Sequence, residues 1–150
     1  MRLAVDLDGS LGDTRPLWDA WLADAARVLG VEPGALPRDR AQAAGELDAR
    51  GAGNWRTLLE RYAADRAPVY LRPSADVSAA LRRAQAAGAR IAVFTDAPEE
   101  LGRLALAHLG ADRRVESLHA GADAERRALA SLGDGAVVVR DRDELVARAR

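Results

Sequence analysis

Short apolar runs alternate with longer helical patterns along most of the chain. The run 3–7 ends in an Asp-Gly pair, which predicts a buried strand followed by a tight turn. The run 90–95 predicts a second strand, a weaker run at 115–119 predicts a third, and the run 136–139 predicts a fourth. Apolar strands that alternate with helices indicate a parallel sheet covered on both faces. The predicted fold class is therefore α/β, with a Rossmann-like parallel sheet of about four strands.

Helical patterns account for most of the remaining chain. N-cap preferences place Asn54, Ser74 and Asp96 at the starts of helices. The predicted helices are 16–29, 40–49, one after Asn54, one from Ser74 to Gly88, one from Asp96 to about Leu109, 124–132 and 144–148. The first three directly follow the first strand and form a block too long for a simple crossover. We therefore predict an α/β unit of 1–15 and 68–150, with a helical insertion at 16–67.

Composition limits the classes of function that the chain can serve. With 150 residues, of which 49% are hydrophobic, it is long enough for one domain with a real core. The net charge of −1 argues against binding nucleic acid or an anionic membrane through charge alone. No Cys is present, which excludes disulfides, thiolate zinc sites and a Cys nucleophile. No apolar run is long enough to span a membrane, and Asp6 comes too early for a signal peptide, so we expect a cytoplasmic protein.

All 22 basic residues are Arg, and the chain has no Lys. An Arg guanidinium is planar and presents several fixed donors, whereas a Lys ammonium is a compact charge, so the two are not equivalent in a site. Any chemistry that needs a cationic side chain must therefore be done by Arg.

Polar residues that could carry chemistry follow the predicted strands. Asp6 and Asp8 end the first strand, Thr95 and Asp96 end the second, and Asp141 follows the last. Ligands of open parallel sheets bind at the carboxyl ends of the strands, so we expect these side chains to share one edge. Each of them also has a plainer interpretation, because Asp-Gly pairs form turns and Asp residues cap helices.

The convergence of these groups favours phosphoryl transfer. Two neighbouring carboxylates raise each other's pKa unless a cation such as Mg²⁺ lies between them, and they can also divide the roles of nucleophile and acid/base. Thr95 precedes a helix start, where backbone amides favour an anion.

The stretch VDLDGSLGDT at 5–14 resembles the first motif of the haloacid dehalogenase-like hydrolases, and IAVFTDAP at 91–98 resembles their second motif. The helical insertion is placed like a small helical cap of that family. The resemblance implies a reduced core of that fold. It also implies that Asp6 is the nucleophile, forming an aspartyl-phosphate, and that Asp8 is the acid/base. The Asp8 backbone carbonyl and Asp6 would bind Mg²⁺, and Thr95 with Asp96 would bind phosphate.

The resemblance is weaker toward the C-terminus. The family's third motif is a Lys, or in some members an Arg, and Arg126 or Arg127 lies in about the right region. We take Arg126 as the phosphate-binding candidate, with a solvated pair at a helix start as the alternative. Asp141 lines up with a metal-binding Asp of the fourth motif, although Arg140 replaces the usual Gly. The alternative is that Asp141 or Asp143 caps the last helix.

Two functions remain open from the sequence. The first is a Mg²⁺-dependent phosphatase acting on a small phosphorylated metabolite through Asp6. The second is a catalytically weak or inactive binding or regulatory protein of the same fold, suggested by the missing Lys and the altered fourth motif. A sheet that is cut short at one edge also makes a homodimer a candidate assembly.

Overall fold

The structure is a computed structural model that describes residues 1–150, except for the side chain of Pro33. Its four strands form one parallel sheet in the order β3-β2-β1-β4. The strands are β1 (Arg2–Asp6), β2 (Arg90–Thr95), β3 (Ser117–Ala120) and β4 (Val137–Val139). The α/β class, the parallel pairing and the number of strands are therefore as the sequence predicts.

Seven α-helices connect and cover the strands. They are α1 (Arg15–Leu29), α2 (Arg40–Ala49), α3 (Trp55–Tyr70), α4 (Ala75–Ala86), α5 (Glu99–His108), α6 (Ala124–Leu132) and α7 (Arg142–Arg148). A π-type turn at Leu7–Leu11 follows β1, and a 3-10 turn at Pro33–Ala35 follows α1. Helices α1 to α3 all lie between β1 and α4 in the chain, and we call them the insertion.

The sheet buries side chains on both faces because successive residues of a strand point to opposite sides. Leu3 and Val5 of β1 pack with α4, α5 and α7 on one face. Ala4, between them, packs with α6 on the other face, together with Ala92 and Phe94 of β2. This double cover explains why the strands are apolar throughout rather than alternating.

The insertion has a hydrophobic cluster of its own, built around three tryptophans. Trp18, Trp21 and Trp55 pack with ring centroids 5.2 to 6.4 Å apart. Ala97 and Leu101, at the start of α5, belong to the same cluster, so the insertion packs directly against the α/β unit. The division into an α/β unit and a cap remains a prediction.

Three local predictions differ from the structure. Helix α3 continues through Pro68 to Tyr70, because a proline in the last turn removes only one helical hydrogen bond, and the Leu71 amide still donates to the Ala67 carbonyl. Asn54 precedes α3 but makes no side-chain capping bond. Asp96 does not begin α5 either, since Pro98 takes the N-cap position.

The Asp-Gly turn after β1 is as tight as the sequence predicts. Gly9 has a φ of +107°, and a Cβ atom there would lie 2.8 Å from the backbone carbonyl oxygen of Arg140. The turn thus brings the end of β1 against the end of β4, with a glycine at the point of closest approach.

No helix of the described residues is both long and apolar enough to cross a membrane.

Candidate active site

The carboxyl ends of β1 and β2 meet at a cavity of about 650 Å³. Asp6 pairs with Phe94 in the sheet register, so the Asp6 and Thr95 side chains reach the same edge from adjacent strands. The cavity is also lined by Asp96 and Arg126 and, from the insertion, by Gln42. The structure therefore brings four of the six predicted site residues, Asp6, Thr95, Asp96 and Arg126, to one cavity. Their roles remain predictions.

Asp6 is the half-buried acid of this cavity. Its Oδ1 accepts a hydrogen bond from the Asp8 amide at 3.1 Å. Burial raises the pKa of Asp6, and the nearby Asp8 carboxylate raises it further, to about 6. The hydrogen bond from the Asp8 amide opposes this rise in pKa, as do Arg140 and Arg15 from a distance. A carboxylate with this pKa is mostly ionised at neutral pH, as a nucleophile must be. Because the folded protein disfavours the ionised form, the charge on Asp6 lowers the free energy of unfolding.

Asp8 is buried and is not among the residues that line this cavity. Its Oδ1 accepts hydrogen bonds from the Thr14 amide at 2.8 Å and the Thr14 hydroxyl at 2.7 Å. Its Oδ2 accepts from the Thr95 hydroxyl at 2.8 Å and from Nη2 of Arg40 at 2.5 Å. Four donors thus hold the Asp8 carboxylate. An acid/base role requires it to exchange at least one of them for a substrate atom.

Arg40 is a candidate functional residue that the sequence does not reveal. It is the first residue of α2, yet its side chain is only 2% exposed. Besides Asp8, its guanidinium donates to Thr14 Oγ1 at 2.6 Å and to Asp96 Oδ1 from both Nε, at 3.1 Å, and Nη2, at 2.8 Å. Nη2 also lies 3.3 Å from Thr95 Oγ1. We call Asp8, Thr14, Arg40, Thr95 and Asp96 the Arg40 network.

The network joins the insertion to the predicted site. The Arg40 backbone amide donates to Asp96 Oδ2 at 2.9 Å, so backbone and side chain bind the same carboxylate. Burial by itself would raise the pKa of Asp96, but the hydrogen bonds from Arg40 lower it below its usual range. Burial by itself would lower the pKa of Arg40, but the Asp8 and Asp96 carboxylates raise it above its usual value. Arg40 and Asp96 are therefore both charged at neutral pH.

The sequence indicates that some arginine must lie near the predicted site, although it does not indicate which one. Three acids lie at the ends of β1 and β2, and without Lys an Arg has to balance them. The segment Arg38-Asp39-Arg40 has the pattern of a solvated charge run, and Asp39 does cap α2 by accepting from the Gln42 amide at 2.9 Å. Nothing in the local sequence distinguishes the buried Arg40 from the exposed Arg38.

Arg126 and Arg127 differ sharply in their surroundings. Arg127 donates to the backbone carbonyls of Ala120 and Ala122 at 2.5 to 3.1 Å, and so holds the loop between β3 and α6. Arg126 is 79% exposed on its side chain, pairs with Asp123 at 2.8 Å and lines the cavity. Of the two candidates, Arg126 is the one that a ligand in the cavity can reach.

The N-terminus of α6 also faces the cavity. Asp123 precedes the helix with a left-handed backbone, at φ 55°, and makes no side-chain capping bond. The first residues of α6, Ala124 to Arg126, line the cavity. Backbone amides at an uncapped helix start are suitable donors for an anion such as phosphate.

Asp141 acts as a helix cap in this structure. It is exposed, and its Oδ1 accepts from the Glu144 amide at 2.8 Å at the start of α7. This corresponds to the plainer interpretation of Asp141 given above. Arg140 pairs with Glu125 of α6 at 2.6 Å. Arg140 and Asp141 of the fourth motif thus both bind other residues of the protein in this structure.

Mg²⁺ binding by Asp6, Asp8 and Asp141 remains a prediction. Among the described residues, no three His, Asp or Glu side chains are arranged to hold a metal ion. The Asp8 carboxylate accepts from four donors and Asp141 caps a helix, so of the three predicted metal ligands only Asp6 has a carboxylate that lines the cavity. The Mg²⁺ dependence remains a prediction, and we assign no step of the chemistry to the ion.

Comparison of whole structures decides the fold. CbbY from Rhodobacter sphaeroides, solved in complex with phosphate, superimposes with a TM-score of 0.68 over 91% of this chain and 76% of its own, at 16% identity. The chain has the haloacid dehalogenase-like fold. A second structural match is the protein tyrosine kinase A (PtkA) of Mycobacterium tuberculosis, with a TM-score of 0.58, 22% identity and coverage of 99% and 79%. No protein-family model and no curated protein matches the sequence.

Proposed function

We propose that the chain hydrolyses phosphate monoesters of small molecules, with Asp6 as the nucleophile. The observation that carries the proposal is the position of Asp6, which shares one cavity with Thr95, Arg126 and the uncapped start of α6. A volume of about 650 Å³ suits a small ligand. CbbY, which shares the fold, was solved in complex with phosphate, and this supports an anion site here.

In the proposed reaction, an Asp6 carboxylate oxygen bonds to phosphorus while the bond from phosphorus to the ester oxygen breaks. The alcohol leaves with a proton, and water then cleaves the aspartyl-phosphate to give free phosphate and the Asp6 carboxylate. Arg126 and the α6 amides are the donors for the phosphoryl oxygens. Asp8 supplies and later removes the proton only in a conformation in which it has released a donor of the Arg40 network.

The test is phosphate release from p-nitrophenyl phosphate and a panel of small sugar phosphates, with and without Mg²⁺. Asp6→Asn should abolish release, because the amide is a poor nucleophile. Asp65→Asn, at an exposed position on α3, is the matched control and should retain the full rate. Equal rates in the Asp6→Asn and Asp65→Asn proteins would exclude the mechanism.

A second function is favoured by the Arg40 network itself. Because four donors hold the Asp8 carboxylate, the site can bind a phosphorylated ligand without turning it over. Binding of inorganic phosphate or a phosphate ester, with no phosphate release by the wild-type protein, would favour this binding or regulatory role.

A further inference from the structure

The Nη2 atom of Arg40 lies among three oxygens of the α/β unit. Asp8 Oδ2 is 2.5 Å away, Asp96 Oδ1 is 2.8 Å away and Thr95 Oγ1 is 3.3 Å away. Two of these oxygens belong to carboxylates, and the third is a hydroxyl. Carboxylate and hydroxyl oxygens around one point are also the ligands that a hard divalent cation selects.

The two carboxylates need a cation at this point. Asp8 is buried, Asp96 is partly so, and both lie within hydrogen-bond distance of the same nitrogen atom. Two carboxylates this close repel each other strongly in a site shielded from water unless a positive charge lies between them. Asp6 adds a third negative charge two residues before Asp8.

We propose that Arg40 is the built-in counter-cation of Asp8 and Asp96, so that docking of α2 and binding of a divalent cation at these carboxylates exclude each other. The guanidinium reaches the oxygens only because α2 begins against them, where the Arg40 amide also binds Asp96. A cation that takes the same oxygens must displace Arg40 and, with it, the start of α2.

This exclusion is reciprocal by thermodynamic linkage. If docking of Arg40 weakens cation binding by some factor, then a bound cation weakens docking of α2 by the same factor. The prediction holds whether or not the chain hydrolyses a phosphate ester, because it concerns binding alone.

The experiment measures Mn²⁺ affinity by isothermal titration calorimetry for the wild-type, Arg40→Met and Arg56→Met proteins. Arg56 is the matched control, since it also joins the insertion to α5, through Glu100, but lies away from Asp8. Arg40→Met should bind Mn²⁺ about tenfold or more tightly than the wild type, and Arg56→Met should bind like the wild type. No gain in Arg40→Met, or an equal gain in both variants, would overturn the proposal.

If Arg40→Met does not fold, hydrogen exchange on the wild-type protein decides. Millimolar Mn²⁺ should speed exchange of the α2 amides relative to those of α4, because the ion and Arg40 compete. Unchanged relative exchange of α2 across the titration would overturn the proposal. Arg40→Lys keeps the positive charge but loses the planar guanidinium that donates to several oxygens at once. Its Mn²⁺ affinity should therefore lie between those of the wild type and Arg40→Met.

Discussion

The guanidinium of Arg40 and the carboxylate of Asp8 form a buried ion pair at 2.5 Å, with side chains that are 2% and 6% exposed. The pair joins the insertion to the turn that follows β1, which carries Asp8, the second acid of the first motif. The conformation of the proposed acid/base is therefore set by a residue 32 positions away in the chain.

The first prediction concerns the contribution of this pair to stability. Removing one partner of a buried pair leaves the other charge without compensation, so Arg40→Met should lower the free energy of unfolding by about 3–5 kcal/mol. Arg56→Met, which breaks only partly exposed pairs, should cost about 1 kcal/mol or less. Urea denaturation of both variants at neutral pH measures the difference. Equal losses would show that Arg40 contributes no more than an exposed arginine.

The second prediction concerns the charge on Asp6. Because its pKa is raised from 3.8 to about 6 in the folded protein, the folded state binds this proton more tightly than the unfolded chain does. The destabilising effect of the Asp6 charge is therefore absent below about pH 3.8. It grows as the pH rises from 3.8 to about 6, and it is complete above the folded-state pKa of about 6. Because Asp6 is only half-buried and solvent screens part of this effect, Asp6→Asn should stabilise the protein by about 1–2 kcal/mol at about pH 8 and by little at about pH 3.

Urea denaturation of wild-type and Asp6→Asn proteins across this pH range checks the second prediction. Asp65→Asn, on the exposed side of α3, should show no comparable pH-dependent gain. A gain for Asp6→Asn that is independent of pH would mean that its charge is not the cause.

The third prediction separates the two neighbouring arginines at the start of α6. Arg126→Gln should raise the KM for a phosphate ester about tenfold and leave stability nearly unchanged, because the side chain is exposed and faces the cavity. Arg127→Gln should lower the free energy of unfolding by about 1–2 kcal/mol, since it loses bonds to the Ala120 and Ala122 carbonyls. Kinetics and thermal denaturation of both variants provide the test, and the reverse pattern would contradict these assignments.

The fourth prediction tests whether Asp141 is a cap or a metal ligand. Asparagine is as good an N-cap as aspartate, but it lacks the charge that a cation requires. Asp141→Asn should therefore leave both stability and any response to Mg²⁺ unchanged, whereas Asp141→Ala should cost about 1 kcal/mol of stability. A higher Mg²⁺ requirement in Asp141→Asn would show that the carboxylate binds the ion.

The fifth prediction concerns the turn after β1. Gly9→Ala should lower the free energy of unfolding by about 1–3 kcal/mol, because an alanine is strained at φ +107° and its Cβ would contact the Arg140 carbonyl oxygen. Gly45→Ala is the control, since this exposed glycine in α2 has nothing within 4 Å of an added Cβ, and alanine should stabilise the helix there by up to about 1 kcal/mol. Chemical denaturation of the two variants should shift in opposite directions.

The layout of the fold could be predicted because it depends on patterns of neighbouring residues. Strand β2 and helices α2 and α6 begin and end where the apolar periodicity and caps place them, at Arg90–Thr95, Arg40–Ala49 and Ala124–Leu132. The site was only partly predictable, because it depends on contacts between distant segments. Asp6 and Thr95 end adjacent strands, so their meeting follows from the topology.

Arg40 could not be placed from the sequence for the same reason. Its burial depends on how α2 packs against the α/β unit, and no local pattern records that contact. The prediction that Asp96 caps α5 is wrong. The Asp96 carboxylate is bound by Arg40 instead, and Pro98 takes the N-cap position of the helix. A charged residue near a helix start suits either role, and only its tertiary partner decides between them.

The central claim is that a phosphoryl group passes through Asp6. The direct measurement is to quench the protein with acid during turnover of a phosphate ester, reduce it with borohydride and map the peptides by mass spectrometry. Borohydride converts an aspartyl-phosphate to homoserine, and we predict that this change occurs at position 6 and is lost in Asp6→Asn. Phosphate release with no label at Asp6, or with the label at another carboxylate, would contradict the claim.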